Sequence, residues 1–373
     1  MDTYDVAVIG GGISGSVAAK FAAKHGFSTL LIEKFKTPRN KSCSGIQFPY
    51  LEKLIGEKIP PEALCSNTIN KVEMFTPTGR AVKGSMPMLN FWRSTFDSWL
   101  NSLAVKAGAQ FFDERKLIDF EQDDKGIKLS IMDKQGETSA RARYLIAADG
   151  LNSGIRKKLK PEDFKRKASG ATINYYFVGA AELDPNTLYM FYNREFSPLM
   201  FAWAYLKDDK WVIGTGADKN LLEYAARFLN YIKEKYAVRG ELVKKEGFSS
   251  PMEITPYLGQ GMILVTGDAA GLVDLYRGLG MDNAALSGRL AVAAIIEAEK
   301  RHLLPVKRYQ DLMEPTIKKI RKNAVRQAAR YASNNSLEMS LSTFNIMKDG
   351  LLMLAASQVN KFLPSEKIIL LPM

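Results

Sequence analysis

Hydrophobic and polar residues follow two different periods along this chain. Residues 6–9 and 29–32 are short apolar runs, and a glycine turn and an alanine-rich helical pattern lie between them. Residues 68–90 and 171–216 instead alternate apolar and polar positions, which is typical of an antiparallel sheet with one covered face. Near the other end, residues 262–265 form another buried strand before a glycine-rich loop and a long helix. The strand, turn and helix pattern therefore occurs on both sides of the alternating segments.

This order of elements predicts an α/β chain (α+β overall) with three parts. We expect a Rossmann-like nucleotide-binding domain, interrupted by an antiparallel-sheet substrate domain and followed by a helical C-terminal region. The interruption follows because alternating strands at 68–90 and 171–216 stand on either side of a helical stretch and a strand, and the strand-to-helix pattern returns near residue 255. The predicted ranges are 1–70, 91–160 and 255–300 for the nucleotide-binding domain, 71–90 and 161–254 for the sheet domain, and 301–373 for the C-terminal region.

The first glycine turn has the spacing of a dinucleotide-binding motif. Gly10, Gly12 and Gly15 form G-x-G-x-x-G between a strand and a helix, which is the context that the motif requires. The glycines permit a tight turn, close approach of a pyrophosphate and close helix packing. Glu33 ends the next strand, where a carboxylate can accept hydrogen bonds from ribose hydroxyls. The set predicts a dinucleotide site; taken singly, the glycines are also compatible with an ordinary turn.

The second strand-loop-helix unit offers similar chemistry. Asp268 follows the strand at 262–265, and the loop reaches Gly280 before the helix begins. An aspartate beside glycines suits a ribose or ribityl hydroxyl, and the helix N-terminus suits negative charge. An ordinary βα turn is the alternative interpretation.

Composition limits the classes of function. The chain has 373 residues, two cysteines, two histidines and a formal net charge of +12. Cys43 and Cys65 are too few for a disulfide framework or a thiolate metal cluster, so we expect no metal and a reducing, cytoplasmic location. The positive charge favours an anionic partner or simply a solvated basic surface. Without a recognition motif, we expect no nucleic acid.

Further motifs resemble those of a known family. "KSCSG" at 41–45, "RSTFDSWL" at 93–100, "ADGLNSGIR" at 148–156 and "GDAAGLVDLYRGLG" at 267–280 accompany the glycine motif. Together they resemble the geranylgeranyl reductase family, within the FAD-dependent superfamily typified by p-hydroxybenzoate hydroxylase. The motifs spread over the first three hundred residues. The resemblance implies FAD as the cofactor of the nucleotide-binding domain.

The resemblance also implies roles for individual residues. It places the pyrophosphate of FAD at Gly12, Ile13 and Ser14, and the adenosine ribose on Glu33 beside Lys34. Arg93 and Asp268 would reach the linking phosphate and ribityl chain, and Gly280 and Met281 would lie under the pyrimidine edge of the flavin. Cys43 would be catalytic, with Ser44 and Gly45 against the isoalloxazine ring; a small, buried structural thiol is the alternative.

The implied reaction is reduction of an isoprenoid C=C bond in a lipid or pigment precursor, with NAD(P)H or a small electron carrier as electron donor. Such a bond is unpolarised, so reduction needs a hydride, a proton source and an apolar channel. Phe201, Trp203 and Tyr205 are the expected substrate-side wall. Leu206 and Leu275 depart from prolines that are common in the family. The departures keep open an aromatic hydroxylase of the same fold. A non-enzymatic flavin-containing binding or electron-transfer protein is a further alternative.

The C-terminal region predicts an amphipathic helix. Its expected apolar stripe is Met313, Ile317, Ile320, Ala324, Ala328 and Tyr331, with Arg330 and other basic residues elsewhere. This helix can dock on the core or offer its basic face to an anionic membrane. The apolar segment beyond it is broken by Lys348, Asp349 and Gly350, too often for a bilayer span. We therefore expect at most peripheral membrane contact; the sequence leaves the oligomeric state open.

Overall fold

Two β-sheets and a group of helices build the chain. The computed structural model describes residues 2–164, 170–250 and 255–364, so the parts of the predicted ranges at 165–169, 251–254 and 365–373 lie outside the described residues. The described strands are β1 (Asp2–Ile9), β2 (Thr29–Ile32), β3 (Ile46–Gln47), β4 (Ile69–Phe75), β5 (Ala81–Asn90), β6 (Gln110–Phe112), β7 (Lys116–Asp123), β8 (Gly126–Asp133), β9 (Gly136–Ala147), β10 (Gly170–Ala180), β11 (Thr187–Phe191), β12 (Ala202–Lys207), β13 (Lys210–Ala217), β14 (Arg239–Ser250), β15 (Gly259–Gln260) and β16 (Ile263–Val265). The described helices are α1 (Ile13–Lys24), α2 (Leu51–Ile55), α3 (Arg93–Lys106), α4 (Gly154–Leu159), α5 (Leu221–Lys235), α6 (Met281–Arg301), α7 (Pro305–Arg330), α8 (Asn334–Ser340) and α9 (Thr343–Phe362).

The first sheet is the nucleotide-binding type of sheet that the glycine motif predicts. Its order is β15-β16-β9-β1-β2-β6, and β7 and β8 extend it from β9 as an antiparallel hairpin. β1 pairs in parallel with β2 and β9, and its Val6, Ala7 and Val8 are fully buried because helices cover the sheet. The register sets Ile9 and Val265 level with Ala147. The carboxyl ends of these strands therefore share one edge.

The second sheet has the order β14-β10-β13-β12-β11-β4-β5-β3. It is antiparallel except where β4 and β11 run in parallel, a pair that the alternation pattern did not predict. β4 and β11 can pair in parallel because they are far apart in sequence and no hairpin joins them. The α/β class with a second sheet and a helical C-terminal region is confirmed.

The apolar stripe predicted for α7 is wrong at two of its six positions, whereas Tyr331 at its end is buried as predicted. Ala324 and Ala328 are exposed, whereas Asn323, Gln327 and Arg330 are buried. The polar side chains turn inward because they have partners there: Asn323 donates to Asp274 Oδ2, Gln327 to the Leu199 carbonyl and Arg330 to the Tyr276 hydroxyl. This helix thus binds the core through hydrogen bonds as well as apolar contacts. Among the described helices, none combines the length and apolarity needed to cross a bilayer.

Candidate functional site

A cleft of about 820 Å³ opens at the carboxyl edge of the first sheet, a volume suited to a cofactor. Gly15, Ser44, Gly45 and the three substrate-side aromatics are not among its lining residues. Eleven of the residues predicted from sequence line it together: Gly10, Gly12, Ile13, Ser14, Glu33, Lys34, Cys43, Arg93, Asp268, Gly280 and Met281.

The glycine turn at the end of β1 has no room for side chains. Gly10 has a φ of +110°, and a Cβ there would lie 2.3 Å from the Ala148 carbonyl oxygen. A Cβ on Gly15 would lie 1.9 Å from the Gly10 carbonyl oxygen, so this glycine lets α1 pack against the turn and does not face the cleft. The turn therefore presents bare backbone and the N-terminus of α1 to the cleft.

Glu33 is fixed at the end of β2 by three donors. Its carboxylate accepts the Gly11 amide at 3.0 Å, the Phe35 amide at 3.1 Å and Arg39 Nε at 3.0 Å. The side chain is buried, with 4% of its surface exposed. These bonds hold a carboxylate at the point where an acceptor for ribose hydroxyls is expected.

Two guanidinium groups converge on Gly12. A Cβ on Gly12 would lie 3.2 Å from Arg39 Nη2 and 3.9 Å from Arg93 Nη2. Arg93 binds Asp97 through two bonds of 2.8 and 2.7 Å, and Arg39 also reaches Asp97 at 3.3 Å. Sequence analysis missed Arg39, because it lies in a polar loop without a motif. Together the two cations make this part of the cleft suitable for a diphosphate.

Asp268 lies on the opposite wall and pairs with a lysine. Lys41 Nζ lies 2.6 Å from Asp268 Oδ2. Burial opposes ionisation of this carboxyl, but Lys41 and Arg93 hold its pKa below the usual value. Gly280 and Met281 begin α6 beside it, so a second helix N-terminus faces the same cleft. Lys41, although part of the quoted KSCSG motif, was not recognised as a cleft cation.

Cys43 stands at the boundary between the cleft and the second sheet. Its Sγ lies 3.7 Å from the sulfur of Met281, and its side chain is partly buried. The other cysteine, Cys65, is buried, and burial raises the pKa of its thiol to about 11. Cys43 is therefore the thiol that a molecule in the cleft can meet.

Lys207 is hydrogen-bonded to the segment that follows Cys43. Its Nζ donates to the Ser44 carbonyl at 2.7 Å and to the Phe91 carbonyl at 2.5 Å. Gly45, with a φ of +62°, passes so close that a Cβ would lie 2.6 Å from this Nζ. Burial lowers the pKa of Lys207 to about 8. Ser44 and Gly45 therefore do not line the cleft, and their fixed backbone holds Cys43 in position at its surface.

Two residues of the predicted aromatic wall, Trp203 and Tyr205, are buried in β12 of the second sheet. Trp203 donates to Asn174 Oδ1 at 2.8 Å, and Tyr205 is 1% exposed. Burial, with Tyr176 and the thiol of Cys43 nearby, raises the pKa of Tyr205 well above its usual value. Phe201 packs near Gly278, in the loop before α6. The three aromatics therefore lie behind Cys43 and this loop, and do not line the cleft in the described part of the chain.

The loop between Asp274 and Gly280 is held by buried charges. Arg277 donates to the Asp282 carboxylate, and the Tyr50 hydroxyl donates to the same oxygen at 2.5 Å. Arg330 of α7 lies 4.0 Å from the ring centre of Tyr276. The position of the α6 N-terminus therefore depends on α7, a link that no sequence motif indicated.

The cleft fits a flavin dinucleotide. It offers bare backbone at the glycine turn, two guanidinium groups, two helix N-termini and the carboxylates of Glu33 and Asp268. Asp149 also lines the cleft. Its Oδ1 is buried and makes no hydrogen bond within the described residues. A polyhydroxyl ligand can supply the missing donor.

Comparisons with known proteins agree with this geometry. The model of the FAD binding domain family matches residues 3–302. The chain is 29% identical to the digeranylgeranylglycerophospholipid reductase of Methanocaldococcus jannaschii over 79% of this chain and 78% of that protein. Identity to the enzyme of the same name from Methanosarcina acetivorans is 30%, over 80% of this chain and 76% of that protein. A geranylgeranyl bacteriochlorophyll reductase-like protein of Thermoplasma acidophilum has the same fold, with a TM-score of 0.83, 22% identity and coverage of 93% and 96%. The chain belongs to the geranylgeranyl reductase family of FAD-dependent oxidoreductases.

Proposed function

We propose that this chain is an FAD-dependent reductase that saturates isoprenoid C=C bonds of the geranylgeranyl type in a lipid or pigment precursor. The observation that carries the proposal is the position of Cys43. It borders the cofactor cleft at Met281 and the aromatic cluster of the second sheet, where a prenyl chain would meet the cofactor.

The cleft residues have complementary roles in holding FAD. The backbone at Gly12, Ile13 and Ser14 would bind the pyrophosphate, with Arg39 and Arg93 as further donors. Glu33 and Lys34 would hold the adenosine ribose, Asp268 the ribityl chain, and Gly280 and Met281 the pyrimidine edge, and all five residues line the cleft.

The chemistry requires a dry environment because an isolated C=C bond is not polarised. When bound and reduced, FAD supplies a hydride. A proton adds to one carbon of the double bond, positive charge develops at the other, more substituted carbon, and that carbon receives the hydride. Trp203 and Tyr205, which are buried behind Cys43, would help to exclude water from this boundary, and Phe201 lies nearby beside the loop before α6. Cys43 contacts the substrate at the cleft boundary.

The substrate class follows from the relatives. The two relatives from Methanocaldococcus jannaschii and Methanosarcina acetivorans are digeranylgeranylglycerophospholipid reductases, so a prenylated glycerophospholipid is the substrate that we propose for this chain in lipid biosynthesis. NAD(P)H or a small electron carrier reduces the flavin. A substrate of this kind resides in membranes, so the protein works in peripheral contact with an anionic membrane.

The test is anaerobic reoxidation. The FAD-loaded protein is reduced without oxygen, a detergent-dispersed geranylgeranyl phospholipid is added, and the flavin spectrum is followed. The proposal requires that the oxidised bands return and that the lipid gains one H2 per reduced double bond by mass spectrometry. The two cysteines provide a matched pair: Cys43→Ala should slow this reoxidation and Cys65→Ala should not.

The departures at Leu206 and Leu275 favour one second candidate, an aromatic hydroxylase of the same fold. Flavin that ignores the lipid and reoxidises only with oxygen, faster in the presence of a phenol, would replace the reductase by this hydroxylase. Rapid exchange of electrons with a partner protein and no effect of either substrate would indicate an electron-transfer protein.

A further inference from the structure

We infer that the outward face of α9 is the surface by which this protein lies on an anionic phospholipid bilayer. The inference rests on the proposed function, because it adds the lipid surface from which that substrate would be taken. The contact is assigned to α9, whereas the sequence pattern indicated the basic face of the helix that is now α7.

The large apolar side chains of α9 face outward and not toward the protein core. Of the 18 large apolar side chains that are exposed in the described chain, seven belong to this 20-residue helix. At 100° per residue they occupy an arc of about 160°. Several are more than half exposed, and Phe362 reaches 87%. The seven are Phe344, Met347, Leu351, Leu352, Leu354, Val359 and Phe362.

The opposite face attaches α9 firmly to the protein. Ala356 is buried against Phe48 and Leu279. Lys53 donates to the Asn360 carbonyl at 2.6 Å, which fixes the end of the helix. The exposed apolar side chains therefore do not result from a helix that has failed to pack.

Charge selects a bilayer over a protein partner. Lys348 is exposed within the apolar arc, and Asp349 is turned away from it and partly buried. In a protein interface, a buried lysine without a counter-charge is unfavourable. At a bilayer surface, the same lysine extends its ammonium group to the phosphates while its stem stays among the apolar side chains.

The wider charge distribution favours anionic lipid. From residue 305 to the end, Lys and Arg exceed Asp and Glu by six, which is half of the net charge of +12. On α7, Lys318, Arg321, Lys322 and Arg326 are all exposed. A net positive C-terminal region favours an anionic lipid surface over a neutral one.

The surface also lies close to the candidate site. Phe48 follows Cys43 in the same segment, and Leu279 precedes Gly280 and Met281 at the start of α6. One layer of side chains therefore separates the inner face of α9 from two segments that border the cleft. A lipid leaving the bilayer at α9 has a short path to Cys43.

The test uses the full, FAD-loaded chain and needs no turnover. Binding to phosphatidylcholine vesicles, with and without phosphatidylglycerol, is measured by flotation for the unchanged protein and for Leu351→Gln/Phe362→Gln. We expect binding that phosphatidylglycerol strengthens and that the double variant weakens by about tenfold or more. Leu222→Gln is the control, because Leu222 is 68% exposed on α5. Unchanged flavin content shows that each variant is folded.

Three results would overturn the inference. The first is equal vesicle binding by the double variant and the unchanged protein. The second is a dimer that only Leu351→Gln/Phe362→Gln dissociates, since a second copy would then cover α9. The third is vesicle binding that appears only when the chain is shortened to residue 364. Reduction of detergent-dispersed lipid, measured separately, reports on the proposed reaction and not on this surface.

Discussion

Replacing Lys207 by methionine should remove a pH dependence from the stability of this protein. The lysine is 1% exposed, and burial lowers the pKa of its ammonium group to about 8 from 10.5. Its hydrogen bonds to the carbonyls of Ser44 and Phe91 do not offset the loss of hydration. Methionine has a similar length and does not titrate.

The sign follows from proton binding. Between pH 8 and 10.5 the unfolded chain keeps a proton on Lys207 and the folded chain has released it, so stability rises with pH in this window. Below pH 8 both states are protonated, and the charged ammonium destabilises the fold by about 3 kcal/mol relative to the neutral amine. From pH 7 to pH 9.5 the folded protein should therefore gain about 2 kcal/mol from this group.

The assay is urea unfolding of the unchanged protein and Lys207→Met at pH 7 and pH 9.5. The difference in unfolding free energy between the two proteins should grow by about 2 kcal/mol in favour of the unchanged protein at the higher pH. Lys210→Met is the matched control, because Lys210 pairs with Lys207 across the β12–β13 hairpin and is partly exposed beside Asp209. A difference that stays constant with pH would refute the reasoning about burial.

Three further substitutions test the site. Arg39→Met should weaken FAD binding about tenfold or more, measured by flavin fluorescence, since one of the two guanidinium groups above Gly12 is lost. Gly45→Ala should lower stability by more than about 2 kcal/mol, because a Cβ would lie 1.9 Å from the Phe91 carbonyl oxygen; Gly79→Ala, with positive φ and open space, should cost about 1 kcal/mol. Arg277→Met should cost about 3–5 kcal/mol in urea unfolding, because the Asp282 carboxylate stays buried without its cation. Equal losses of unfolding free energy for Gly45→Ala and Gly79→Ala would contradict the predicted clash at Gly45. An unchanged unfolding free energy for Arg277→Met would contradict the role assigned to its ion pair.

The residues that sequence could place are those tied to strand ends and glycine spacing. Gly12 and Asp268 are more than 250 positions apart, yet both follow parallel strands whose carboxyl ends share one edge, and both line the cleft. Hydrophobic periodicity and the residue types of turns are local properties of the sequence, so they can be recognised without knowing the fold.

The positions of other site residues depend on the path of the folded chain, which sequence patterns do not specify. Arg39 and Lys41 reach the cleft because of the route taken by an irregular segment after β2. Lys207 did carry a signal, since it alternates with Trp203 and Tyr205 and so shares their face of β12. The polar residues of α7 turn inward because of partners in distant segments, which helical periodicity alone cannot show.

The charges within the cleft predict how FAD binding responds to salt. Arg39, Lys41 and Arg93 are paired with Glu33, Asp97 and Asp268, so this group is neutral as a whole. Arg39 and Arg93 can still donate hydrogen bonds at short range, but the long-range attraction of a diphosphate then depends on exposed lysines at the rim, including Lys34 and Lys157. Exposed charges are screened by salt and buried pairs much less. Raising the salt concentration should therefore weaken FAD binding in the unchanged protein, and Lys34→Met/Lys157→Met should bind more weakly at low salt with a smaller salt dependence, as measured by flavin fluorescence. An unchanged salt dependence in that variant would show that the buried cations, and not the rim, attract the diphosphate.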